Sequence, residues 1–394
     1  MRAGSQVFAL DAVLDASPER IDPRCPHFGA CGGCAVQHLA DHAYARWKVS
    51  LLADALARAG FSDAPIAPLA RTPPGARRRA DFALARQRDG SVSVGFHARR
   101  GAAVVDLAGC PVLHPRIAAL IGPLRAMLGG LGCLGKQGDA VVNLLDHGLD
   151  LLLRTQGVPD AAQRGRLAAF ARDSALCRIA WAQGAGAPET VAQHAAPAIT
   201  LSGRTVLAPP GAFLQASREG EAAIIAAVQE GLPARSRRIA DLYAGLGTLS
   251  FALAARGSVA AFEGDATAHA ALSVAAGGTR VRAVRRDLAR QPLQPGELAA
   301  FDAVVLDPPF AGAAAQCTAI AASDVRHVAY VSCNPAALAR DARTLREAGF
   351  ALLSAVPIDQ FLWSAELECV AHFARGGRLP ATRHAAGAQP RGKS

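Results

Sequence analysis

Ile239-Ala-Asp241-Leu-Tyr243-Ala-Gly245-Leu-Gly247-Thr248 decides the fold of the C-terminal half. The apolar run up to Leu242 reads as a strand, and the residues from Thr248 onward read as a helix. Glycines between them let the backbone approach a ligand closely, and the helix start offers free N–H groups. Glu263 ends the next apolar run, about 20 residues on, where an acid can take both hydroxyls of a ribose. The third glycine of a pyrophosphate-binding turn is missing. A nucleoside cofactor without a pyrophosphate, S-adenosylmethionine, therefore suits the turn better than NAD. The alternative is a tight strand–helix turn with no ligand. It leaves Glu263 and Asp307, both at strand ends, without a purpose.

Outward from this stretch, apolar runs recur at Val259–Glu263, Val281–Val284, Ala303–Leu306 and Val328–Ser332, and helical segments separate most of them. Alternating β and α implies a parallel, doubly wound sheet. The end differs: Leu352–Ile358, a short turn and Leu367–Phe373 read as an antiparallel hairpin. Ala222–Val228 suggests a preceding helix. Upstream, Asp41 to Ala59 reads as a helix with Trp47, Leu51, Leu52 and Leu56 on one face. Arg79–Arg86 and Val92–His97 alternate well and are joined by Asp89-Gly90, a hairpin signal. Residues 102–200 read as mixed α+β, with a strand at Leu151–Arg154. Gln6 to Leu14 reads as a strand, and 376–394 as a flexible tail.

The 394 residues are 51% hydrophobic and 19% charged, which excludes a disordered chain. No apolar run reaches the roughly 20 residues of a membrane span, and no signal peptide is legible, so a cytoplasmic protein without a membrane partner is expected. A net charge of +10 favours a polyanionic partner such as nucleic acid. Only Lys48, Lys136 and Lys393 are lysines, so the charge is arginine, and compositional bias is the competing explanation. Nine cysteines in a reducing compartment point to metal ligation or catalysis rather than disulfides.

Asp307-Pro-Pro-Phe310 closes one strand and Ser332-Cys333-Asn334-Pro335 the next. A cysteine at the carboxyl end of a parallel strand lies on the ligand face of such a sheet. Cys317, Cys369, Cys133 and Cys177 fit buried core positions instead. Glu368 opens the last strand. If that strand runs antiparallel, Glu368 and Cys333 face one cleft; otherwise Glu368 is an exposed strand-end acid. The pair suits attack at carbon 6 of a uracil by a thiolate, methylation at carbon 5, and removal of the carbon 5 proton by a base.

These motifs resemble bacterial RNA 5-methyluridine methyltransferases of the iron–sulfur type, the RlmD and RlmC group acting on 23S ribosomal RNA. The resemblance spans nearly the whole chain. It rests on Cys25-x5-Cys31-Gly-Gly-Cys34-x2-Gln37-His38, Asp241 to Thr248, Asp307-Pro-Pro, Ser332-Cys333-Asn334-Pro335-Ala336 with Leu338-Ala339-Arg340-Asp341, and Asp359-x-Phe361 to Glu368. It implies a class I, Rossmann-like methyltransferase domain over 205–375. Before it would come an iron–sulfur segment and a smaller α+β RNA-binding domain over 25–204, and a truncated TRAM-like remnant over 1–24. Cys333 would be the nucleophile and Glu368 the base. Gln215, Tyr243, Gly245, Thr248, Glu263, Asp287 and Asp307 would contact S-adenosylmethionine. The implied partner is RNA, 23S ribosomal ahead of transfer RNA, and the implied state is a monomer. Phe310 stands where an arginine is usual and Ser217 where an asparagine is usual. Leu362, Trp363 and Glu366 replace a Pro…Thr-x-His run. These departures bear on the target-base pocket more than on the cofactor site.

Cys25, Cys31, Cys34 and Cys110 could ligate a [4Fe–4S] cluster or a zinc ion, with His27 and His38 as further zinc ligands. Spacing leaves the two near even, and the resemblance selects iron–sulfur. Arg77, Arg78, Arg79, Arg86, Arg88, Arg99 and Arg100 form a candidate RNA patch, of which strand alternation turns some inward. Two other functions compete. Asp307-Pro-Pro-Phe310 also matches the loop of exocyclic-amine methyltransferases, whose aromatic stacks on a flipped base. A non-catalytic iron–sulfur RNA-binding relative is the second.

Overall fold

The computed structural model describes residues 13–376, and two large sheets organise them. Residues 1–12, which carry the first half of the expected 1–24 remnant and most of the expected strand Gln6–Leu14, and the tail beyond 376 lie outside the described residues. The C-terminal sheet runs, edge to edge, Ala70–Arg71, Phe350–Asp359, Glu368–Arg375, His327–Ser332, Ala303–Leu306, Arg238–Leu242, Ser258–Glu263 and Val281–Arg285. All neighbours are parallel except Glu368–Arg375, which is antiparallel to both of its own.

Alternate residues of the central strands go to opposite faces, and both faces are buried. Ala240, Leu242, Val304, Leu306, Val328 and Tyr330 join one core layer. Ile239, Ala303, Val305, Ala329 and Val331 join the other. This explains why these strands read as continuous apolar runs rather than as an alternation.

The helix Asp41–Arg58 forms where its apolar spacing places it, but its tertiary address differs from its position in sequence. Leu52, Ala55 and Leu56, spaced three and one apart, pack with Leu338, Ala342 and Leu345 of the helix Pro335–Glu347 on the C-terminal sheet. Ala70–Arg71 then adds an edge strand to the same sheet. Residues 41–71 thus belong structurally with the C-terminal half, across the boundary at 204/205 read from sequence.

The second sheet runs Val104–Asp106, Val92–His97, Arg79–Arg86, Gln137–Leu145, Gly148–Thr155, Leu176–Gln183 and Glu189–Gln193. It is antiparallel but for Gly148–Thr155 and Leu176–Gln183, which the helix Ala161–Asp173 connects as a crossover. Its core gathers Phe82, Val94, Ile117, Leu124, Leu151 and Ile179. A buried ion pair fastens the two halves: the Arg78 guanidinium meets Glu221 at 2.5 Å and its Nε donates to the Gln215 carbonyl at 3.0 Å.

Candidate active site at the strand ends

The antiparallel last strand puts two distant residues at one edge. Ser332 pairs with Cys369, so Cys333 and Glu368, one step further, leave neighbouring strands side by side. Asn334 caps the helix that follows, its side chain accepting from Ala336 and Ala337. This turns the chain sharply after Cys333 and keeps the thiol half-buried rather than in the core. Cys317 and Cys369, by contrast, are fully buried, and Cys133 and Cys177 are buried as well.

Glu368 is 3% exposed and is linked to Asp307 through a run of hydrogen bonds. Gln360 Nε2 donates to Glu368 Oε2 at 2.7 Å and to Gln215 Oε1 at 2.9 Å. Gln215 Nε2 donates to Asp307 Oδ2 at 3.0 Å. Glu368 Oε1 is buried and has no hydrogen-bond partner. Burial and the nearby Asp307 push Glu368 up to about 8, against the hydrogen bond from Gln360, which lowers it. Burial raises Asp307 to about 7, against the bond from Gln215. Burial, then Glu368, then Asp307 push the Cys333 thiol up to about 12.

The Asp241–Thr248 turn is strained where a ligand would lie. Tyr243 has φ +65°, and Gly245 and Gly247 have φ +56° and +94°. A Cβ on Gly247 would come within 2.6 Å of Leu272, whereas one on Gly245 would point into open space. That space adjoins the acid at the next strand end: Gly245 N–H donates to Glu263 Oε2 at 2.7 Å. Thr248 opens the short helix Thr248–Leu253. Asp287 lies beside Gly264, next to Glu263, but its Oδ1 accepts from Ala289 and Arg290 and caps its own turn. Burial raises Tyr243 to about 12. These residues fit a nucleoside with open space above Gly245 and carboxylates around it.

The connection 360–367 lies within a residue of the turn read from sequence, and two N-terminal segments clamp it. Lys48, wholly buried, pairs with Asp359 at 3.0 Å and donates to the carbonyls of Phe361 and Glu366. Tyr44 donates to Asp359 at 2.6 Å and accepts from the Trp363 N–H at 2.9 Å. Ala35 and Val36 donate to the Trp363 carbonyl, and Trp363 itself sits at φ +59°. Nothing local marked this clamp, although Lys48 is one of very few lysines in an arginine-rich chain. Gln360 went unread for the same reason: an amide carries no pattern of its own.

Cys25, Cys31, Cys34 and Cys110 line one cavity of about 460 Å³, with Phe96, Leu113, Phe361 and Leu362 among its walls. Gly32 N–H bonds the His97 carbonyl, and a Cβ there would meet that oxygen at 2.9 Å, so the Gly32-Gly33 turn permits the approach. Among the described residues, no three or more His, Cys, Asp or Glu side chains converge as a single metal ion requires. His27 Nε2 instead accepts from the Ala108 N–H. Burial raises Cys31, Cys34 and Cys110, the second to about 11, and neighbouring thiols add to the effect.

The arginine patch divides. Arg78 is buried in its ion pair, Arg86 donates to the carbonyls of Gly90, Leu128, Gly129 and Leu131, and Arg77 lines the cysteine cavity. Arg79 pairs with Asp81 at 2.7 Å. Arg88, Arg99 and Arg100 stay exposed. Ser217, the asparagine replacement, caps the helix Arg218–Gly231 through Gly220 N–H at 2.9 Å. Phe310 is 57% exposed.

Comparison with known proteins places these features in a family. Residues 222–332 match the family model described as conserved hypothetical protein 95. The chain is 40% identical over 375 residues to an uncharacterized RNA methyltransferase of Brucella suis, covering 93% of this chain and 88% of that protein. It is 36% identical over 369 residues to the 23S rRNA (uracil(1939)-C(5))-methyltransferase RlmD of Chromohalobacter salexigens, covering 90% of this chain and 76% of that one. The crystal structure of Pyrococcus abyssi tRNA (uracil-54, C5)-methyltransferase with S-adenosyl-L-homocysteine superposes with a TM-score of 0.69 at 20% identity, covering 92% and 88% of the two chains. It shares the fold. On these grounds the chain belongs to the RNA methyltransferase family that includes the RlmD-type 23S rRNA uracil-C5 enzymes.

Proposed function

We propose that this RNA methyltransferase acts on carbon 5 of a uridine through a transient Cys333–base bond, with Glu368 as the base. The observation that carries the reading is the convergence of Cys333 and Glu368 at one cleft, beside Gln215 and Asp307. The Cys333 thiolate adds to carbon 6, and the carbon 5–carbon 6 pair moves into an enolate that makes carbon 5 nucleophilic. S-adenosylmethionine, when bound, supplies the methyl group to carbon 5 together with a positive charge in a cleft of carboxylates. Glu368 Oε1, free of other partners, takes the carbon 5 proton. The double bond reforms and the carbon 6–sulfur bond breaks, returning the thiolate.

Gln215, Tyr243, Gly245, Thr248, Glu263, Asp287 and Asp307 are assigned to the cofactor, Asp287 through a side chain already engaged in its turn. Cys25, Cys31, Cys34 and Cys110 are assigned to a [4Fe–4S] cluster. Support comes from the four thiols that line one shared cavity and from the resemblance to the iron–sulfur type enzymes. Methyl transfer moves no net electrons, so the cluster's place is structural, joining the cysteine segment to the second sheet at His97 and to the loop at Trp363.

The substrate we favour is 23S ribosomal RNA over transfer RNA, as the RlmD relative suggests, handled by a cytoplasmic monomer. Among the described residues no helix is long and apolar enough to cross a membrane. Exposed Phe310 after Asp307-Pro-Pro favours one rival, methylation of an exocyclic amine. Mapping methylated nucleotides in ribosomal and transfer RNA of a deletion strain decides between them. Loss of a 5-methyluridine supports this reading, and loss of a methylated amine overturns it.

A further inference from the structure

Gln360 stands between the two halves of the site. Ala216 N–H, which can only donate, meets Gln360 Oε1 at 3.1 Å, so the amide nitrogen must face the other way. Its two hydrogens are both spent there, one on Glu368 and one on Gln215. The side chain is 3% exposed and lies in a recess made by a glycine: a Cβ on Gly220 would come 2.7 Å from Gln360 Cβ and 2.8 Å from its Oε1. Its backbone is held by its neighbour, since Asp359 is locked by Lys48 and Tyr44 and its carbonyl accepts from Thr72 at 2.7 Å.

We propose that Gln360 is the positioning residue of this site, tying Glu368 to the Gln215–Asp307 pair so that one carboxylate oxygen is held and the other is turned to the target carbon. The proposal rests on the reading of Glu368 as the base. A donor to a carboxylate favours its charged form, and the second amide hydrogen prevents Gln360 from turning away. The ionisable groups near Glu368 are Asp307, at the end of the next strand but one, Cys333 beside it, Cys369 on its own strand, and Asp359, paired to Lys48, on the adjoining strand. Burial and the nearby Asp307 oppose ionisation, and the Gln360 amide is the side chain that favours it, together with the backbone N–H of Cys369.

The test uses Q360M, which keeps the side-chain volume and removes both donors. Its methylation rate should rise with pH later than the parent's, the acid limb moving up by about one to two pH units, the equivalent of one hydrogen bond to a charged group. Below that limb, RNA linked to Cys333 should accumulate on denaturing gels. S-adenosylmethionine affinity by calorimetry should stay within about threefold, because Gln215 and Asp307 keep their own bond. G220A, which crowds Gln360 without removing it, should shift the limb in the same direction by less. A second readout needs no RNA. The pH dependence of Cys333 alkylation, followed by peptide mass spectrometry, should carry a step from Glu368 that moves up in Q360M. A step and a limb that coincide with the parent's would overturn the role of Gln360. A parent that never methylates carbon 5 would overturn the functional reading instead, and the alkylation step would still decide Gln360.

Discussion

The cleft at the strand ends and the cysteine cavity meet on the same 360–367 loop, yet they are organised by different means. In the cleft, Asp307, Gln215, Gln360 and Glu368 bond one another at 2.7–3.0 Å, so the side chains fix one another's orientation. In the cavity, the chain is placed by backbone bonds from Gly32 to His97 and from Ala35 and Val36 to Trp363. The thiols themselves line a wall, with a 3.4 Å approach of Gly33 N–H to Cys31 sulfur. Amides and carboxylates are strong partners and preorganise a site; thiols are weak ones and leave the space between them to be filled. The cleft should therefore fail by chemistry when one group is removed, and the cavity by stability.

The largest expected effect breaks the cleft. Cys333→Ala should give no methylated product and no adduct. Glu368→Gln should slow turnover by about 10²–10⁴-fold, as expected for loss of a general base, and leave methylated RNA bonded to Cys333. Both are read by methyl incorporation and denaturing gels. Adduct that survives in the double variant would show the nucleophile to be another group. Normal turnover of Glu368→Gln would move the base elsewhere, with exposed Glu366 the next to test.

The cavity is tested by its contents and its stability. Protein purified without oxygen should be brown with about four irons per chain, by elemental analysis and visible absorption. Cys110→Ala should lose that colour and lower the melting temperature by several degrees, while S-adenosylmethionine still binds the cleft. Stoichiometric zinc without iron would refute the cluster, and unchanged melting would refute its structural place.

A smaller effect compares the cleft with itself across pH. Glu368 is raised from the ordinary carboxylate range to about 8 in the folded protein. The folded state therefore holds that proton more tightly, and the stability this contributes is full below about 4.5 and lost as pH rises through about 8. Glu368→Gln cannot ionise and keeps it. Its melting temperature should exceed the parent's by an amount that grows across this window and levels off above it, by roughly 1 °C for each kcal/mol of difference. An offset independent of pH would show that Glu368 is not held as the structure indicates.

The smallest effect lies on the surface beside the cavity. Arg99→Ala with Arg100→Ala should make the salt dependence of RNA binding shallower, the slope falling by about 0.7–0.9 for each phosphate that the two arginines neutralise. An unchanged slope would move the RNA path elsewhere, Arg88 being the remaining exposed member of the sequence patch.

Local pattern alone determined much of this protein. Apolar runs bounded by turns located the strands Ala303–Leu306 and His327–Ser332 within a residue, because a strand buried on both faces needs little beyond its own side chains. The Asp241–Thr248 turn, the cysteines and the Asp307 and Cys333 strand ends were legible for the same reason: short motifs carry their own backbone demands. What required the tertiary structure was every partnership across the chain. The helix Asp41–Arg58 announced its apolar face but not the sheet it covers. Arg77 and Arg78 looked like a surface patch until packing turned them inward. Gln360 meets Gln215 from 145 positions away. No residue near Gln360 encodes that meeting, because an uncharged amide acquires a role only when the fold brings it an acceptor and excludes water from around it.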